Sequence, residues 1–158
     1  MIEKLKKLLA SRKVKEAETT ADAETLKLAS SALLMEAACM DGHADEGEIA
    51  TVTALLADHF RLGEGEASEL AEAGREAVAQ SVELYGFTRT IKDSFSHEDR
   101  VRMIEMLWEV AYADGILHDF EANLVRRVSG LIYVPDRESG EARKRVLERL
   151  DLDTPDVS

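Results

Sequence analysis

The chain has 158 residues, 45% of them apolar, and a net charge of −12. That length suits one domain burying roughly 70% of its unfolded surface, and the apolar content excludes a disordered acidic tail. An acidic body repels nucleic-acid backbones and anionic lipid and attracts cations or basic partners, so nucleic-acid binding is not expected.

No apolar run approaches the roughly 20 residues of a membrane span, and the charged N-terminus lacks the apolar core of a secretory signal. The lone Cys39 leaves no partner for an intrachain disulfide and no cysteine-based zinc site, which points to a reducing cytoplasm. Charge is unevenly spread. Residues 1–15 hold Lys4, Lys6, Lys7, Arg12, Lys13 and Lys15 against Glu3, a net of +5, which leaves −17 on the remainder. The expected organisation is a basic amphipathic helix over 1–20, a helical domain over 21–150 and a frayed tail over 151–158.

In chain order, Ile2, Leu5, Leu8 and Leu9 fall on one face of the first segment. That face either packs against the acidic body or makes peripheral contact with an anionic membrane through residues 1–15, where each basic residue contributes about 1 kcal/mol. A second helix follows Asp22 and runs to about Met40, with Leu26, Ala29, Leu33, Ala37 and Met40 as its stripe. After the turn DGHADEGE, a third helix ends at Phe60. Gly63 and Gly65 supply its stop signal, glycine suiting the left-handed residue past a helix. Residues 66–83 and 85–95 predict two more helices. Ser96 and Asp99 have capping-box spacing and open the most apolar helix, with Val101, Ile104, Leu107, Trp108 and Ala111 inward. YADGILHDFE ends it. Helices are expected over 119–132 and 140–150, the latter with Val146, Leu147 and Leu150 facing in. Nothing alternates with period two for long, so the fold expected is all-α, a compact bundle of seven or eight helices.

Two of these turns match. Shifted by 73 positions, residues 35–62 lie on 108–135 with six identities: Glu36/Glu109, Ala38/Ala111, Asp41/Asp114, Gly42/Gly115, Glu48/Glu121 and Val52/Val125. The pattern reads as an internal duplication of a helix–turn–helix unit. Each copy has Asp-Gly followed by Glu six residues past the Gly. An EF-hand loop also separates its Gly and bidentate Glu by six, but its first and third positions need carboxylates. Here those positions are Ala37 and Cys39 in one copy, Val110 and Tyr112 in the other. Neither loop is an EF-hand. Facing one another, however, Asp41, Glu48, Asp114 and Glu121 offer four carboxylates for one hard divalent cation: Ca²⁺, Mg²⁺ or Mn²⁺ ahead of Zn²⁺.

A plainer reading stands beside it. Asp-Gly is an ordinary helix-ending turn, and Asp45 with Glu48 has capping-box spacing. In the second copy His118 occupies the cap, a poorer choice than Asp, yet Glu121 is kept. His43 and His118 flank the motifs without occupying equivalent positions and read as loop residues. Trp108 reads as core, and Cys39 as a small apolar residue on a helix. No glycine-rich phosphate loop, G-x-S-x-G or H-E-x-x-H motif is present, and no enzyme activity is expected.

The pairing of MDGHADEGEI with AYADGILHDFE, together with FSHEDRVRMIEMLWEVAYADG, resembles the TerB family, named for tellurite resistance. It is also similar to the TerB-like domain that precedes the J-domain in some membrane-anchored DnaJ-type co-chaperones. The likeness spans roughly residues 25–150. It implies an all-helical bundle, a metal site at Asp41, Glu48, Asp114 and Glu121, and a link to tellurite or metal stress. The function expected is therefore a non-enzymatic, cytoplasmic, cation-binding domain with protein partners. The alternative is a helical interaction module or membrane-surface adaptor whose acidic motifs only cap helices.

Overall fold

The computed structural model describes residues 23–39, 46–80 and 84–152. The basic segment 1–20, together with Met40, Asp41, His43 and Asp45, lies outside the described residues. Seven helices and no strand occur among those described: α1 (Ala23–Ala38), α2 (Glu46–Phe60), α3 (Glu64–Gln80), α4 (Tyr85–Ser94), α5 (His97–Ala111), α6 (Asp119–Leu131) and α7 (Asp136–Arg149). The fold is an all-α bundle, as the absence of period-two patterning requires.

Two helices occupy its centre. α1 packs on α2, α3, α4 and α5, while α5 also packs on α6 and α7. A helix enclosed on several sides must be apolar or small nearly all round. Accordingly α1 buries Ala29, Ala32, Leu33, Leu34, Met35, Ala37 and Ala38, with Ser30 and Ser31 among them. It is therefore wider than the single stripe its spacing suggested, and Leu26 is only half-buried. The serines are tolerated because each hydroxyl finds a carbonyl, Ser30 on Leu26 (2.9 Å) and Ser31 across the interface on Leu70 (2.8 Å).

α5 begins as its sequence predicts, with the Ser96 hydroxyl accepting from the Asp99 amide at 3.2 Å. Its buried face runs from Met103 to Ala111. Trp108 joins α5 to α7, its Nε1–H donating to the Ser139 carbonyl (3.1 Å) and hydroxyl (3.2 Å). α7 starts four residues before the sequence expectation, directly after Pro135, because Ser139 belongs to its buried side. At the start of α5, His97 pairs with Glu138 of α7.

The helix ends hold one departure from expectation. The left-handed residue after α2 is Arg61 (φ 56°), not Gly63. The Leu62 amide reaches back to the Ala57 carbonyl at 2.9 Å, so closure of the turn dictates the conformation whatever the side chain. Tyr133 (φ 61°) and Asp151 (φ 57°) do the same after α6 and α7. Leu152, expected in the frayed tail, packs on the core as part of that last cap.

Candidate functional site

The two helix–turn–helix segments keep the 73-residue offset in their boundaries. α1 ends at Ala38 and α5 at Ala111, and α2 begins at Glu46 and α6 at Asp119. Burial follows the offset as well: Val52 and Val125 are both fully enclosed, as are Leu34 and Leu107.

The second turn is described in full. Tyr112 closes α5, and Gly115 adopts φ 85°, a conformation open to glycine. Its amide donates to the Tyr112 carbonyl at 2.8 Å. Asp114 Oδ1 accepts from the Ile116 amide at 3.0 Å, so this carboxylate folds the turn from within. Its other oxygen lies 3.7 Å from His118 Nε2. The His118 ring stacks on Phe120, with centroids 5.5 Å apart, so the histidine read as a plain loop residue is tied to Asp114 and to α6. Ile116 is 61% and Phe120 39% exposed, which places apolar side chains beside the acidic turn.

Glu121 is the unusual member. It sits in the first turn of α6 but is only 4% exposed. Its Oε1 accepts from the His118 amide at 3.3 Å, the return half of a capping box. Burial pushes its carboxyl up to about 7; the His118 amide and ring oppose this, and the charges of Glu48 and Asp114 reinforce it. Glu48, in the first turn of α2, is thus near enough to Glu121 for their charges to repel. Glu48 of α2 and Asp114 of the turn thus lie within electrostatic range of Glu121 in α6. Asp41, the fourth expected ligand, lies outside the described residues. Among the described residues, no group of three or more His, Cys, Asp or Glu side chains is arranged to hold a metal ion.

As donors these groups suit a hard cation, since all are carboxylates and a buried carboxylate gains most from a neutralising charge. The sequence pattern does not reveal the burial of Glu121, because the same Glu in a solvent-facing first turn would look identical. Sequence reasoning missed Ile116 and Phe120 as exposed neighbours, and the only signal was two large apolar residues bracketing a polar turn.

A family model described as tellurite resistance protein TerB matches residues 27–144, most of the chain. No curated protein and no solved structure matches it. Among the described residues, no helix is long and apolar enough to cross a membrane.

Proposed function

The chain belongs to the TerB family, and from that premise we propose that it binds one hard divalent cation between its two Asp-Gly units. Asp41 and Glu48 from the first unit, with Asp114 and Glu121 from the second, would hold Ca²⁺, Mg²⁺ or Mn²⁺. The observation that supports this reading is the burial of Glu121 within range of the charges of Glu48 and Asp114. Like charges gathered round a desolvated carboxylate destabilise the folded chain unless a proton or a cation intervenes. A bound cation removes that repulsion and draws the two units together, so the site acts as a charge-controlled clasp between α2 and α6.

The protein works in this reading without catalysis, in the reducing cytoplasm that the lone Cys39 suits. It serves the tellurite or metal stress response through protein partners. The two units are read as a duplication, on the shared 73-residue offset of their helix ends.

One observation favours a second reading. Glu121 does receive the His118 amide, so the acidic motifs also serve as helix caps, and an interaction module needs nothing more from them.

A thermal melt of cation-stripped protein, titrated separately with Ca²⁺, Mg²⁺, Mn²⁺ and Zn²⁺, separates the two. A ligand at one hundred times its Kd stabilises the folded state by about 2.7 kcal/mol. A saturable rise in Tm, absent from Asp41→Asn/Asp114→Asn, is expected. An equal rise in that variant, or none in either, leaves only the capping role.

A further inference from the structure

Away from the acidic turns, α4 and the end of α6 form a patch of opposite character. Tyr85, Arg89 and Lys92 follow one another at intervals of four and three, so they share one face of α4, while Thr90 and Ile91 are buried. Gly130, Leu131 and Tyr133 stand across from that face, and the two sets line a cleft of about 120 Å³.

Three features set the cleft apart. Its two tyrosines are the exposed ones: Tyr85 is 56% and Tyr133 66% accessible, whereas Tyr112 is in the core. Among the described residues its two cations are under-compensated, because Arg89 and Lys92 pair with the same carboxylate, that of Asp93, at 3.9 and 3.6 Å. Among those residues a local positive excess thus stands out in a chain of net charge −12. Tyr133 itself occupies a left-handed position where glycine is the easiest residue to place, and the Lys92 ammonium lies 5.2 Å from its ring centroid. A large, exposed ring is kept where the backbone favours none.

We propose that this cleft docks an acidic peptide segment of a partner protein, with one Asp or Glu carboxylate entering between Arg89 and Lys92 and the adjoining peptide lying on Tyr85 and Tyr133. The cleft has room for one side chain. Tyr and Arg are the side chains enriched where interfaces concentrate their binding energy, and a guanidinium takes a carboxylate in a two-pronged bond. Charge chooses between a peptide and a nucleic acid. A polyanion carries its charge past the patch and onto the acidic body, which repels it, whereas a peptide with one or two carboxylates ends its charge inside the patch. The site lies apart from the proposed cation ligands and operates with or without them.

The test is fluorescence polarisation in EDTA at physiological salt. The probes are a labelled Ser-rich dodecapeptide with two Glu at its centre (the Glu/Ser peptide), its counterpart with Gln at those two positions, and a labelled oligo-uridine of equal length. Saturable binding of the Glu/Ser peptide alone is expected. It should weaken at least tenfold both in Arg89→Glu/Lys92→Glu and in Tyr133→Gly, a change that the left-handed backbone accepts without loss of fold. The proposal is overturned by no saturable binding to the native chain, by unchanged affinity in both variants, or by preference for oligo-uridine.

Discussion

Gly74 of α3 meets Ser31 of α1 so closely that a Cβ built on the glycine would stand 2.1 Å from the serine Oγ and 2.7 Å from its backbone carbonyl carbon. Because backbone as well as side chain is in the way, the two helices must separate to admit even a methyl group. Overpacking costs about 1–3 kcal/mol, set against roughly 1 kcal/mol gained from replacing a helical glycine. Gly74→Ala should therefore destabilise by about 1 kcal/mol or more, and Gly74→Val by clearly more. Urea unfolding followed by circular dichroism measures both, and a stabilised Gly74→Ala would contradict the tight crossing.

Glu105 gathers three arginines. Arg145 and Arg149 of α7 donate to it at 2.9 Å each, and Arg102 of its own helix at 3.2 Å, while Arg149 also reaches Glu109 at 2.7 Å. Burial pushes the Glu105 carboxyl up, but the hydrogen bonds from Arg145 and Arg149 and the charges of Arg145 and Arg102 outweigh it and hold it below its ordinary value. Its stabilisation is then present above the ordinary carboxylate range and fades as pH falls through the lowered value. Glu105→Gln should lose about 1–3 kcal/mol at neutral pH, less in acid, as read from urea midpoints at both pH values.

Glu121 behaves in the opposite sense. Its carboxyl lies at about 7 in the folded chain, against an ordinary 4.5. Below the ordinary value it is protonated in both states and costs nothing. Between the two values the folded state holds the proton more firmly, so stability falls as pH rises, and above 7 the whole penalty is present. In EDTA, Glu121→Gln should be more stable than the native chain at pH 8, by an amount on the order of 1–3 kcal/mol. The advantage should vanish near pH 4. An advantage that does not change with pH would remove the buried charge as its cause.

The two left-handed positions 115 and 133 predict opposite outcomes. Gly115 (φ 85°) already carries the suitable residue, so Gly115→Ala should destabilise by about 1 kcal/mol. Tyr133 (φ 61°) does not, so Tyr133→Gly should stabilise by about 0.5–1 kcal/mol despite the lost contact with Lys92. Paired thermal melts check the two signs.

The helices themselves were legible because their causes are local. Ser96 before Asp99 starts α5, Asp114-Gly115 ends it, and apolar residues at intervals of three and four run between. The 73-residue offset could be read from six identities, and the ends of α1, α5, α2 and α6 keep it. The Glu105 cluster had a fainter signal: Glu105/Glu109 and Arg145/Arg149 are both spaced by four, a match that becomes informative only once α5 and α7 are known to be neighbours.

By itself, then, the sequence determined the all-α fold class, where the acidic turns fall, which four carboxylates recur and which family the chain resembles, all consequences of neighbours along the chain. Only the tertiary structure decided that Glu121 is buried within range of the charges of Glu48 and Asp114, that Gly74 is a helix crossing, and that Tyr85 and Tyr133 share one cleft. Those facts depend on how helices far apart in sequence pack, and packing sets the solvent exposure and the distances from which a carboxylate's proton affinity and a ring's availability follow.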